Sequence, residues 1–253
     1  MNIRHLLRSC LSTLALVALL ASTASGEDIT TTSPSWAGFT SPDSQGLYHD
    51  LIHAVFAPAG FTVRHVEVPA KRGMVMLHEL QADIYLGHTD PEEGIILSSR
   101  PLYEGQFHAI FRTEAFPDWH GPASMTNRRV TWRLGYYSSD DIPVPIQFRE
   151  ATTGVSALQR LIQNGTDFYI DDKLLILESL REAGINPDPS IFRIEPIGFR
   201  QYYPAFPPTL HGQELRSIFE AGMDRLAAQD KLRPIYAKWD LPMPRIYHNK
   251  SQP

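Results

Sequence analysis

Residues Leu80 to Arg112, LQADIYLGHTDPEEGIILSSRPLYEGQFHAIFR, decide how this chain is read. Ala82-Asp83 closes a helical stretch and opens an apolar run, Ile84-Tyr85-Leu86, of a length that suits a buried strand. Gly87-His88-Thr89-Asp90-Pro91 is a loop of turn-forming residues at the C-terminal end of that strand. In open α/β sheets, ligands sit outside that end of the strands. From Gly105 to Arg112 the chain leaves as an extended run. The stretch is expected to line a cleft and then cross to a second lobe.

Upstream, Ile29 and its threonine neighbours read as a first strand, and Trp36 and Phe39 as exposed aromatics in a polar segment. Leu47, Leu51, Ile52, Val55 and Phe56 form a helical stripe, and Gly60 stands where a helix end favours a left-handed residue. Phe61 to Val68 is β-rich, Pro69 breaks it, and Met74, Leu77 and Leu80 recur at helical spacing. Strand, helix, strand in this order predicts a parallel sheet. Downstream, Phe116 to Thr126 resembles a linker and Arg129 to Leu134 a new strand ending at Gly135-Tyr136-Tyr137. A helix is expected over 154–164, a strand over 166–170, and a helix over 173–183 stopped by Gly184. Ile191 to Ile197 reads as extended, Tyr202 to Pro208 as irregular, and Glu214 to Ala228 as an amphipathic helix, followed by a short one around Ile235 to Trp239. Leu77-x-x-Leu80-x-x-Asp83-Ile-Tyr85 is echoed by Leu158-x-x-Leu161 followed by Asp167-Phe-Tyr169. Two α/β lobes of similar topology are therefore expected, with a ligand site at their interface.

The first residues carry Arg4, His5 and Arg8 before an apolar run from Leu11 to Leu20, then small residues at 21–25. This is the pattern of a cleavable secretory signal over 1–25, and the apolar run falls short of the ~20 residues that span a bilayer. Cleavage leaves about 228 of the 253 residues, without the lone Cys10, and moves the net charge from −5 to −7. An acidic chain with no basic run makes a poor nucleic-acid partner. Without cysteine the mature chain has neither disulfide nor thiol chemistry. The histidines show no H-E-x-x-H spacing, and there is no G-x-S-x-G, so no metal, cofactor or nucleophile is expected. Asn164-Gly165-Thr166 is read as a turn.

Five patterns resemble family 3 extracellular solute-binding proteins, the periplasmic proteins of amino-acid-type importers. Gly46-Leu47-Tyr48-His49-Asp50-Leu51 is similar to the family's first helix start, and Leu77 to Asp83 to its helix end. Ser99-Arg100-Pro101-Leu102-Tyr103 is similar to its segment before the crossover. Gly165 to Asp172 is similar to its second-lobe motif, and Ile235-Tyr236-Ala237-Lys238-Trp239 to its ending. The resemblance implies an α/β fold of two Rossmann-like lobes joined by a two-strand hinge, the type II periplasmic-binding architecture. Lobe I would comprise residues 26–111 and 200–245, lobe II residues 112–199, and 246–253 a tail. Ala109–Arg112 and Gly198–Tyr202 would be the hinge strands.

The resemblance also sets out a site. The family arginine that clamps a ligand carboxylate falls at Glu92, which beside Glu93 would repel one. Arg72 or Arg100 could supply a cation from elsewhere, or be a solvated surface charge. Asp172 matches the family's ammonium-binding aspartate, but could equally be a helix N-cap, as could Asp171. Trp36 resembles an aromatic stacked on ligand, or is core. One of Tyr136 and Tyr137 is expected to face ligand. Tyr103 and Thr89 join the candidate set, as does His88, which is the more readily read as serving a backbone carbonyl. The implied function is non-enzymatic: a monomeric periplasmic receptor for a small polar solute, amine-bearing if Asp172 faces the cleft. Its partner would be the membrane permease of an ABC-type importer. The same fold could instead signal to a membrane sensor, and, less readily, a carboxylate in the cleft could serve a dehydratase-like enzyme.

Overall fold

Two α/β units share one continuous set of strands in the computed structural model, which describes residues 27–41 and 43–250. The expected signal segment lies outside the described residues. In the first unit, β1 (Glu27–Ser33) pairs in parallel with β2 (Phe61–Glu67) and β3 (Ile84–His88). The crossovers are helices α1 (Leu47–Phe56) and α2 (Ala70–His78). The helical stripe read from the sequence is the face α1 buries, with Leu47, Leu51, Ile52, Val55 and Phe56 all inside. A short 3-10 turn prolongs it to Gly60, whose φ of 91° is the left-handed conformation expected there.

The second unit repeats the scheme. Strand β6 (Arg129–Arg133) runs parallel to β7 (Gln147–Ala151) and β8 (Phe168–Asp172). Helix α3 (Gly154–Ile162) starts on a cap in which Thr153 Oγ1 accepts from the Ser156 N–H at 3.1 Å. Helix α4 (Lys173–Glu182) follows β8 directly. The echo noted in the sequence has an atomic counterpart. Asp83 Oδ2 accepts from the Thr30 N–H at 2.7 Å, and Asp167 Oδ2 accepts from the Arg129 N–H at 2.9 Å. In both units an aspartate thus pins a strand's first residues to the edge of its parallel neighbour. The chain reaches it through a left-handed residue, Leu80 (φ 57°) or Asn164 (φ 60°). Strand β7 was not expected, since Gln147-Phe-Arg-Glu-Ala alternates around charged residues and carries few β-formers.

The units are joined by β5 (Tyr103–Arg112) and β9 (Phe192–Phe206), antiparallel from Tyr103↔Tyr202 to Arg112↔Phe192. Strand β9 pairs in the first unit with β3 and with the short β4 (Ile96–Leu97). Strand β5 pairs with β8 of the second unit through Phe107–Ile110. The strand order is β2-β1-β3-β9-β5-β8-β6-β7, with β4 beside β9. The expected hinge is corrected in one strand. Gly198–Tyr202 lie opposite Phe107–Tyr103, whereas Ala109–Arg112 are already paired inside the second unit. The crossing point of β5 is therefore Tyr103–Gln106.

Tyr202 to Pro208 is not irregular: β9 runs through Phe206. Pro204 has no N–H to give, but its carbonyl accepts from the Ser98 N–H at 3.2 Å, so the strand tolerates it. Trp36 and Phe39 are not exposed either. Both are buried in the first unit's core with Leu51, Tyr48 and Phe219. Helix α5 (Leu210–Ala228) covers that core, and α6 (Leu232–Lys238) returns the chain toward the crossing. There the Tyr236 and Tyr247 hydroxyls donate to the carbonyls of Leu102 and Pro101 at 2.7 and 3.0 Å. The second unit has its own core, built on Phe111, Trp132 and Phe168 on one sheet face and on Leu158, Leu161 and Leu180 on the other.

Candidate functional site

The C-terminal ends of β1, β3, β6 and β8 converge on one cavity of about 350 Å³ between the two units. Trp36 follows β1, Gly87 to Asp90 end β3, Gly135 to Tyr137 follow β6, and Asp172 ends β8. A cavity of this size lies in the range that encloses a small molecule.

Trp36 forms the floor. Its ring meets Tyr48, Tyr136 and Tyr202 edge-on, with centroids 6.1, 5.6 and 6.4 Å away. Gly87, at φ 89°, lies against it, and a Cβ there would run into the indole. Position 87, next to the strand's last residue, must therefore be glycine for the tryptophan to fit there. Asp172 occupies the N-cap position of α4, yet its carboxylate does not cap the helix. It instead accepts from the Tyr202 hydroxyl at 3.1 Å and lines the cavity. Burial, and then the neighbouring charge of Asp171, push its pKa up to about 7. Asp171 is not a cap either. It is fully buried and takes Arg133 at 2.8 Å and the Tyr169 hydroxyl at 2.7 Å.

The first unit's loop supplies His88, Thr89, Asp90 and Glu92. His88 Nε2 stands 3.7 Å from Glu92 Oε2, and burial depresses its pKa. Glu92 Oε1 also pairs with His78 at 3.2 Å. Tyr136 and Tyr137 both line the cavity, Tyr136 against Trp36 and Tyr137 packed on Phe107 of the second core. Two expected site residues lie elsewhere. Arg72 is exposed and is held by Gln81 and Glu79. Tyr103, the first residue of β5, is stacked on Tyr202 at 5.9 Å and faces a separate cavity. Arg100 is spent on a two-bond pair with Asp224 at 2.8 and 2.9 Å.

The cation missing from the sequence reading is Arg200, on β9. It is only 9% exposed and lines the cavity. It donates to Thr89 Oγ1 at 2.7 Å and to the Tyr136 carbonyl at 2.9 Å, and pairs with Asp141 at 3.3 Å and Asp90 at 3.7 Å. Its guanidinium lies over Tyr137 and Tyr202, 4.7 and 5.7 Å from the ring centroids. The period-2 rule would have found it: Gly198, Arg200 and Tyr202 share one face of the expected hinge strand. Lys71, from α2, is the other cavity cation and meets Glu150 at 3.5 Å.

No protein-family model matches the chain, and no curated protein does. Solved structures do match. A mutant of ArgBP from T. maritima aligns over 85% of this chain and 95% of its own, at TM-score 0.66 and 15% identity. The GluR0 ligand-binding core with L-glutamate aligns over 86% and 99%, at TM-score 0.68 and 14% identity. The ancestral amino-acid-binding protein AncCDT-1, a precursor of cyclohexadienyl dehydratase, aligns over 85% and 95%, at TM-score 0.66 and 15% identity. This is the type II periplasmic-binding fold. The two units are its lobes, β5 and β9 its crossing strands, and the cavity lies in the gap between lobes that the fold provides. All three are binding proteins or ligand-binding cores.

Proposed function

We propose that this chain is an exported solute receptor that captures a small amine-bearing molecule between its lobes and delivers it to the permease of an ABC-type importer. The observation that carries the reading is the charge of the cleft. Asp90, Glu92, Asp141, Glu150 and Asp172 line the cavity against two cations, Lys71 and Arg200. Arg200 faces both Asp141 and Asp90, and Lys71 meets Glu150, so acids outnumber cations and Asp172 and Glu92 are the two carboxylates that neither cation pairs. A cleft walled by low-dielectric protein focuses such a field on a positively charged solute. The matching structures support a binding role rather than a catalytic one, and no bond-breaking step belongs to the reading.

The test is a thermal-unfolding screen over small amines, amino acids and polyamines. A solute at about a hundred times its Kd stabilises the native state by ~2.7 kcal/mol, roughly 5–10 °C for a chain of this size. The expected result is such a rise with a cationic solute and its loss in Asp172→Asn. A screen in which neutral or anionic solutes stabilise and amines do not would overturn the reading.

A further inference from the structure

We infer that the solute's positive group is an alkylated, quaternary-type ammonium rather than a primary amine. This rests on the acidic-cleft reading above and narrows it. Two features of the cavity carry it, and they are independent of each other.

The first is that each cleft carboxylate already has a protein donor or cation beside it. Asp172 accepts from Tyr202 at 3.1 Å. Glu150 accepts from the Gly135 N–H at 2.8 Å and meets Lys71 at 3.5 Å. Asp90 accepts from the Thr89 hydroxyl at 2.7 Å, and Asp141 from the Ser138 N–H at 2.7 Å, while both face Arg200. Glu92 is flanked by His78 and His88. A primary ammonium brings three N–H donors. Each must find an acceptor when water is stripped away, or its desolvation goes uncompensated. A quaternary ammonium brings no donor and needs only a negative field.

The second feature is the aromatic wall. Trp36, Tyr85 and Tyr136 line the same cavity. Trp36 and Tyr136 stand at 90° to each other, centroids 5.6 Å apart, so they form two sides of a corner. Aromatic corners hold alkylated ammonium groups by the ring quadrupole together with apolar contact to the methyl groups. Tyr137 and Tyr202 already carry the Arg200 guanidinium, which shows that rings in this cleft accept cations. The two features select the same chemistry: a diffuse positive charge clothed in methyl groups.

Calorimetric titration with matched pairs tests it: choline against ethanolamine, and tetramethylammonium against ammonium. Choline is expected to bind at least tenfold more tightly than ethanolamine. Tyr136→Leu should weaken choline binding about tenfold, while Tyr136→Phe, which keeps the ring, should stay within about twofold of the parent. Tyr136 is partly buried, and unchanged circular dichroism in both variants shows that a lost ring rather than a lost fold is being read. Ethanolamine binding as tightly as choline, or Tyr136→Leu leaving choline binding intact, would overturn the inference while leaving the amine-receptor reading in place. If neither compound binds, and no amine in the thermal screen does, both fall together.

Discussion

Asp172 shows how one position can be read two ways from sequence and be placed only by geometry. Its sequence position, at a strand end before a helix, serves a cap and a cleft equally well. The rotamer turned toward Tyr202 decides between them, and no sequence pattern encodes a rotamer. Arg200 is the converse. It stood in a segment already read as a hinge strand, and alternation alone put it on Tyr202's face. The family resemblance points instead to the position of Glu92 for a cation, far from Arg200 in sequence. The pKa of Asp172, near 7, gives a residue-scale prediction. A bound cation favours the carboxylate, so solute binding should expel the proton that about half the molecules carry at neutral pH. Affinity should fall as pH drops from 8 to 6, approaching tenfold per pH unit below the pKa. Calorimetry in buffers of different ionisation enthalpy should register proton release near pH 7, and Asp172→Asn should abolish it. Affinity that is flat across this range would show that Asp172 does not meet the charge.

Elements were legible where one face is buried and periodic. Helix α1 announced itself through its apolar stripe and Gly60, and β3 and β8 through short apolar runs opened by aspartate. Strand β9 is not legible through its prolines, because a proline argues against a strand unless the missing donor happens not to be needed, and that is a fact about neighbours. Between α1 and β2 lies a pair that local sequence cannot show: the rings of His49 and His65 meet edge-on at 4.6 Å. His65 Nδ1 lies 2.9 Å from Thr31 Oγ1. Burial, and then His49, lower the pKa of His65 to about 4. Burial likewise lowers His49. In the unfolded chain these rings protonate near 6.5, so the unfolded state binds more protons below that pH, for His65 down to about 4. Their contribution to stability is whole above pH 6.5 and is lost as pH falls through that window, by up to ~1.4 kcal/mol per pH unit for each proton. Asp172 acts oppositely. Its folded pKa is raised, so its contribution is full below about 4 and declines as pH rises to about 7. Urea unfolding at intervals from pH 8 to 5 should therefore show a shallow loss on acidification in the parent, a flatter profile in His65→Gln, and a steeper one in Asp172→Asn. A parent whose stability climbs steadily down to pH 5 would contradict the assignment of the histidine pair.

At the scale of the whole molecule, the two-lobed plan was readable because each lobe repeats the same local rule, an aspartate at the start of a buried strand after a left-handed turn. What joins the lobes was only half readable, since a crossing point depends on register and register depends on both strands. Arg200 sits at that junction and touches both lobes at once. It donates to Thr89 and faces Asp90 on lobe I, and it donates to the Tyr136 carbonyl and faces Asp141 on lobe II. Its charge is buried on the crossing strand, so these contacts are made in a low dielectric and weaken together if the lobes part. Solute-free closure should therefore depend on this one side chain. Removing it leaves Asp141 and Asp90 facing each other across the gap without a cation, and like charges favour the open form. In Arg200→Ala the solute-free protein should show a larger radius of gyration by small-angle scattering than the parent. Apparent solute affinity should fall in proportion to the closed fraction, and saturating solute should restore the parent's radius. Arg200→Lys should fall between the two, because a single ammonium cannot reach both lobes as a planar guanidinium with five donors does. If Arg200→Ala scatters identically to the parent without solute, the closed arrangement is held by the aromatic packing around Trp36 and Tyr136, and the guanidinium is a passenger in it.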